Sequence, residues 1–212
     1  MKNIIIYGAP AAGKGTACES LTQKYHYKHI STGDLFRSLN DEDEFARKIK
    51  ETISKGNLVD DETTTELVKK SLEKLNNKPV ILDGFPRNLN QAKLLDDFFE
   101  NFIVINLNID EENATKRALG RLNCPKCGKI YHKYNKEMKP SIEGICDICG
   151  STLKSRSDDN EESFKIRYNT YIDNCEEVFK FYKDKNILYM VDSNGTPNET
   201  FKSIESIITN LD

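Results

Sequence analysis

Lys2-Asn-Ile-Ile-Ile-Tyr7, followed at once by Gly8-Ala9-Pro10-Ala11-Ala12-Gly13-Lys14-Gly15-Thr16, is the stretch that decides the fold. An apolar run of β-branched residues ending in glycine is how a buried strand of a parallel sheet begins, and the periodic segment after it, Cys18 to Tyr25, reads as a helix. The glycines let main-chain N–H groups turn toward an anion at the N-terminus of that helix. Lys14 then reaches the β and γ phosphates of a nucleoside triphosphate, and Thr16 offers its hydroxyl toward Mg²⁺. The match to G-x-x-x-x-G-K-[ST] is imperfect, because Gly15 holds the hydroxyl position and Thr16 comes one residue later. A Gly-rich strand-to-helix turn without a ligand is the plainer alternative.

Outward from this loop, apolar runs alternate with helical patterns. Strands are expected at 2–7, near 27–30, and at 79–83, 103–109 and 187–191. Asp60 or Asp61, Asn88, Asp110, Asp158 and Thr196 are the expected N-caps, with Pro197 at the first helical position of the last helix. This β-α alternation specifies an α/β fold, a mostly parallel five-stranded sheet with helices on both faces. Ligands then gather at the carboxyl ends of the strands. The third strand ends in Asp83-Gly84-Phe85-Pro86-Arg87, which sets Asp83 to hold a water on Mg²⁺ and turns Arg87 into the same crevice.

With 212 residues, 37% hydrophobic and 31% charged, the chain can hold one substantial core and a small insert. A net charge of -3 argues against nucleic acid or an acidic membrane as partner. The first apolar run is too short for a signal peptide, and no segment approaches a membrane span. A cytoplasmic protein is expected, and the lack of a long exposed apolar stripe favours a monomer.

Four of the six cysteines form two C-x-x-C-G knuckles, Cys124 with Cys127 and Cys146 with Cys149, separated by 18 residues. A tetrahedral Zn²⁺ takes four thiolates, and the glycine after each knuckle relieves a tight turn. The set has no open position for water, so the metal is structural; Fe in place of Zn²⁺, or two disulfides, are the alternatives. Cys18 and Cys175 read as packed thiols. Between the knuckles the only aromatic residues are Tyr131 and Tyr134, a poor platform for a nucleic-acid-binding zinc ribbon.

The chain has 24 lysines but only seven arginines. Guanidinium grips phosphate as a planar fork, which lysine cannot imitate. Arg37, Arg87, Arg117, Arg121, Arg156 and Arg167 all lie in or beside the motif segments, with Arg47 left over.

Together these residues resemble the adenylate kinase family, in its long form with a zinc-bearing lid, from Gly8 through Gly195. The resemblance implies that the loop Gly8, Ala9, Pro10, Ala11, Ala12, Gly13, Lys14, Gly15 and Thr16 holds ATP, with Arg117 over the adenine, Arg121 on phosphate and Pro197 at the adenine border. It implies an AMP site of Thr32, Arg37, Leu58, Val59, Gly84, Arg87, Gln91, Arg156 and Arg167. Lys14, Arg87, Arg121, Arg156 and Arg167 are the implied catalytic charges, with Asp83 on a Mg²⁺ water and structural Zn²⁺ on Cys124, Cys127, Cys146 and Cys149. The implied architecture is a P-loop core (1–30, 60–121 and 160–212), a helical insert for the nucleoside monophosphate (31–59) and a zinc-ribbon lid (122–159). The implied reaction is ATP + AMP = 2 ADP.

The chain departs from the family at three places. Ala11 stands where glycine is usual, Leu122 where a third lid arginine is common, and Asn90 where proline is common. The loop before Pro197 is also a residue or so longer than expected. A GTP:AMP phosphotransferase shares the lid and acceptor motifs. A pyrimidine nucleotide kinase is disfavoured by the long lid and Thr32, and a zinc-ribbon regulatory ATPase by the insert's position.

Overall fold

The computed structural model describes residues 1–40, 42–75 and 78–211. At its centre lies β1 (Asn3–Gly8), with Ile4, Ile5 and Ile6 almost completely buried. Side chains leave a strand on alternating faces, so Ile4 and Ile6 join one core while Ile5 and Tyr7 join another. The first core is completed by α1 (Lys14–Tyr25), α6 (Glu111–Gly120) and α8 (Pro197–Thr209) through Leu21, Ala114, Ala118, Ile204 and Ile208. The second is completed by α4 (Asp61–Glu73), α5 (Leu89–Asp96) and α7 (Glu161–Asp184) through Val68, Leu95, Val178 and Tyr182. Each fully buried isoleucine stabilises the sheet by roughly 1.5–3 kcal/mol, which is why an uninterrupted apolar run marks a central strand.

The sheet runs β2 (Lys28–Ser31), β3 (Val80–Asp83), β1, β4 (Phe102–Asn108), β7 (Leu188–Asp192), with every neighbouring pair parallel. The expected strands stand within a residue or so of these bounds. Helix α1 begins at Lys14, four residues before the apolar period suggests, because Gly13 in the left-handed region (φ 95) serves as its N-cap without a side-chain hydrogen bond. Asp60, Asn88, Asp110 and Thr196 cap their helices as expected, the last in a capping box with Glu199. Asp158 does not: Asn160 caps α7 by accepting from the Ser163 amide, and the Asp158 carboxylate is taken by Arg167.

Two segments interrupt this frame. Between β2 and α4, helices α2 (Thr32–Arg37) and α3 (Glu44–Ser54) close around a cluster of Phe36, Ile49 and Val59. Between α6 and α7, β5 (Arg121–Asn123) pairs antiparallel with β6 (Ile130–His132), around a small core of Cys124, Tyr131, Cys146 and Leu153. Both lean on the central domain. Ser163 Oγ donates to the Ser54 carbonyl at 3.0 Å, and Lys129 pairs with Glu19 at 2.8 Å. Gly56, at φ 82, sits so close to α7 that a Cβ would lie 2.7 Å from the Ser163 carbonyl oxygen, so only glycine permits this approach.

Candidate active site

The loop after β1 turns through Ala11 (φ 61) and Gly13 (φ 95) before entering α1. Ala11, the non-glycine residue of that turn, therefore adopts the left-handed backbone that glycine accepts freely and an L side chain adopts at about 1–2 kcal/mol. Lys14 Nζ folds back to donate to the Gly8 carbonyl at 2.8 Å and the Ala9 carbonyl at 2.7 Å. Burial lowers the pKa of this ammonium to about 8; Asp83 works against the shift, and Arg87, Arg167 and Arg121 add to it. A buried cation surrounded by further cations is a site that gains by receiving an anion.

That anion has a defined place. A cavity of about 890 Å³ opens beside the loop, with Lys14, Thr16, Leu58, Val59 and Gly84 in its lining. Arg37, Arg87, Arg117, Arg121, Arg156 and Arg167 all line it, so the six arginines singled out by their rarity converge on one space. Arg47 does not. Arg87, on the turn after β3, is steered by its own Nε donating to the Gly84 carbonyl at 2.8 Å. Burial lowers its pKa to about 10, with Arg167 adding to the shift; Arg156 is likewise brought to about 10 by burial, then by Arg121 and Arg37.

Arg37 pairs with Asp34 at 2.6 Å, and two adjacent acids at the base of the lid hold two more of the guanidinium groups. Asp159 receives Arg121 through two hydrogen bonds, from Nε at 2.7 Å and from Nη2 at 2.5 Å. Asp158 accepts from Arg167 at 2.6 Å. Burial alone raises the Asp158 pKa, but Arg167, Arg121, Arg37 and Arg156 outweigh it and hold the carboxyl below its ordinary value. These anchoring roles were not predicted from the sequence, where the only signal was a pair of acids flanked by arginines. Arg117 donates to the carbonyls of Asn194 (3.2 Å) and Gly195 (2.7 Å), which draws the loop before Pro197 to the cavity edge.

Three of the expected contact residues stand behind the cavity wall. Ala9 is buried; Thr32 donates to the Gly84 carbonyl at 2.9 Å; and Gln91, 1% exposed, accepts from the Arg87 amide and donates to Asp61, both at 2.8 Å. Asp61 is a hub the sequence did not reveal, gathering side-chain amides from Asn88, Asn90 and Gln91. Burial raises its pKa, and these three donors more than reverse that. The Asn90 amide, at a position where proline is common, thus has a partner of its own at 2.8 Å. Leu122, in place of a third lid arginine, packs on the lid core.

Asp83 lines the cavity and interacts with the Lys14 charge. Burial pushes its carboxyl up, but the hydrogen bond from His29 and the charges of Lys14, His29 and Arg87 hold it below its ordinary range. It is therefore an ionised acceptor on the cavity wall. In the lid, the four knuckle sulfurs lie within 4.8 Å of one another, with Cys124 and Cys149 at 3.4 Å and Cys127 and Cys146 at 3.5 Å. A tetrahedral Zn²⁺ with bonds of about 2.3 Å sets its sulfurs about 3.8 Å apart, whereas a disulfide needs about 2.05 Å. The cysteines are free thiols, so the disulfide alternative falls and the set fits a metal. The two knuckles repeat one geometry: the first cysteine's amide donates five residues ahead, to Lys129 or Ser151, and the following glycine's amide donates back to that cysteine's carbonyl. Gly128 (φ 76) and Gly150 (φ 70) make those turns.

Among the described residues no helix is long and apolar enough to cross a membrane. A family model described as adenylate kinase matches residues 6–187. The chain is 38% identical over 213 aligned positions to an adenylate kinase of Fervidobacterium nodosum, covering 97% of each protein. It is 40% identical to one of Borrelia turicatae, covering 97% of this chain and 98% of the relative, and 39% identical to one of Acetivibrio thermocellus, covering 98% of each. With the phosphate loop, the ring of arginines and the four-cysteine insert all present on one parallel sheet, the chain belongs to the adenylate kinase family and is a nucleoside monophosphate kinase, a phosphotransferase.

Proposed function

We propose that this enzyme catalyses reversible, Mg²⁺-dependent transfer of the terminal phosphoryl group of ATP to AMP, giving two ADP, in adenine nucleotide homeostasis. The observation that carries this reading is the convergence of six arginines and Lys14 on one cavity reaching from the phosphate loop to Leu58 and Val59. Two phosphorylated substrates bring many negative charges together, and a site for both has to neutralise them.

The acceptor oxygen belongs to a phosphate that is already anionic, so no general base is required. It attacks the γ phosphorus in line, the bond from that phosphorus to the β-bridging oxygen breaks, and the electron pair leaves with ADP. Positioning and charge neutralisation supply the catalysis. Residues 8–16 with Arg117, Arg121 and Pro197 bind the donor, Ala9 through its carbonyl on Lys14. Arg37, Leu58, Val59, Gly84, Arg87, Arg156 and Arg167 bind the acceptor, with Thr32 and Gln91 positioning Gly84 and Arg87. Thr16, and Asp83 through a water, would hold Mg²⁺, which would supply further charge neutralisation. Zn²⁺ on Cys124, Cys127, Cys146 and Cys149 would keep segment 122–159 rigid.

Water is the competing nucleophile. In this reading the lid (122–159) and the insert 31–59 close over the core formed by 1–30, 60–121 and 160–212 and exclude it. The enzyme acts as a cytoplasmic monomer. Phosphorus NMR of products from ATP or GTP with Mg²⁺, paired in turn with AMP, CMP, UMP and GMP, tests the assignment. ADP formed from ATP and AMP alone supports it; GTP with AMP alone moves it to the sister phosphotransferase; phosphate release without transfer overturns it.

A further inference from the structure

We propose that Cys18, His29 and Asp83 form a second metal site, for a thiophilic divalent cation such as Zn²⁺, in the inner wall of the nucleotide cavity. The three residues arrive from different elements. Cys18 is on α1, His29 on the edge strand β2 and Asp83 at the end of β3, and one donor atom from each lies within 4.8 Å of the other two. His29 Nε2 already stands 3.5 Å from Asp83 Oδ2. Tetrahedral bonds of about 2.0–2.3 Å to N, O and S require donor separations of roughly 3.3–3.8 Å, so the trio has only to contract at its widest edge.

The donor set decides the kind of ion. One thiolate, one imidazole and one carboxylate suit Zn²⁺, Co²⁺ or Cd²⁺, whereas Mg²⁺ prefers oxygen alone. His29 and Asp83 line the cavity while Cys18 is fully buried behind them, so a fourth position faces the cavity, where water fits. A metal takes the thiolate and not the thiol, so binding releases one proton from Cys18 to water, and the resulting thiolate and the Asp83 carboxylate together balance the two charges of the ion. The site is separate from the lid cluster in both sequence and position.

A consequence for activity rests on the proposed function. Asp83 is assigned there to water around Mg²⁺, so a thiophilic ion that captures it inhibits the enzyme, and a chelator too weak to strip the lid restores activity. The test is equilibrium dialysis of the enzyme, its lid already loaded with Zn²⁺, against Co²⁺. One additional equivalent is expected, with a thiolate-to-cobalt charge-transfer absorption. Cys18→Ala should abolish both signals and His29→Gln should weaken binding at least tenfold, while Cys175→Ser changes neither. No second equivalent in the wild type, or a second equivalent that survives Cys18→Ala, overturns the site. Inhibition by micromolar Zn²⁺ should likewise be at least tenfold weaker in Cys18→Ala. Cobalt bound with the expected spectrum but full activity retained would uphold the site and overturn the assignment of Asp83 to Mg²⁺.

Discussion

The two segments that interrupt the sheet are organised by different physics. Segment 31–59 is held by capped helices and an apolar cluster of Phe36, Ile49 and Val59, extended by Leu39, Ile53 and Leu67. The lid has two short strands and a core in which two of the four buried residues are themselves knuckle cysteines. An apolar cluster is non-directional and tolerates adjustment, whereas four thiolates on one ion fix distances and angles. The contrast teaches that a segment with so small a core needs another source of order, and a metal on its four cysteines would supply the free energy its apolar surface does not.

The largest expected effect would break that comparison if it failed. Metal binding contributes roughly 10–16 kcal/mol in small zinc modules. Stripping the metal should therefore make 122–159 protease-sensitive and lower the melting midpoint while 31–59 stays protected. Ile49→Ala should do the reverse at a cost of about 2–5 kcal/mol. Limited proteolysis with mass mapping reads both; equal midpoints with and without a strong chelator, with metal loss confirmed, would erase the distinction.

Between the two inserts lies the turn that carries Arg87, and its substitution separates chemistry from docking. Arg87→Ala should lower kcat by about 10²–10³, some 3–4 kcal/mol, at saturating AMP. Arg87→Lys should recover little, because it loses both the fork and the Nε bond to Gly84. Arg37→Ala, on the insert, should act mainly on KM for AMP. Steady-state kinetics checks this, and near-normal turnover of Arg87→Ala would sink the assignment.

The floor shared by both inserts makes a proton-linked prediction. Burial lowers Lys14 to about 8, so in the free protein it is charged below that pH and loses its proton as pH rises through it. A bound polyphosphate stabilises the ammonium and returns the pKa toward about 10.5. Nucleotide binding should therefore take up protons between about pH 8 and 10 and almost none through Lys14 near pH 6. Calorimetry in buffers of different ionisation enthalpy measures the uptake, and Lys14→Met should remove it.

The smallest effect concerns Ala11. Glycine at this left-handed position relieves about 1–2 kcal/mol of backbone strain and loses roughly 0.5–1 kcal/mol to chain entropy. Ala11→Gly should therefore raise unfolding free energy by about 1 kcal/mol or less in urea titration. A loss of stability would show that the methyl group is packing productively.

Much of this arrangement was legible in the chain because its signals are local or compositional. The Ile-Ile-Ile run, the glycine loop and the paired knuckles are each contiguous, and the scarcity of arginine marked six cavity residues without any knowledge of the fold. What escaped depends on partners far apart in sequence. Asp159 meets Arg121 across 38 positions, and Asp61 meets Gln91 across 30. No hydrophobic period encodes those pairings. The start of α1 was missed for another reason: a left-handed glycine serves as its cap, and apolar spacing does not register backbone handedness. Asp158 was misjudged as a cap because an acid near a helix start has the same sequence appearance whether it serves the helix or a neighbouring arginine.

The strand bridge at the neck of the lid has a further consequence. Asn123 and Lys154 exchange both main-chain hydrogen bonds, at 2.7 and 2.9 Å, and Arg121 and Asp159 close the same neck with an ion pair. The lid therefore leaves the body of the protein and returns to it at one spot. A module joined in this way hardly alters the loop-closure entropy of its host, and neither β4 nor β7 has to change register to receive it. It is an exchangeable part: grafting, shortening or replacing everything beyond that neck should leave the sheet intact, which makes the neck a natural seam for insertion and deletion during descent.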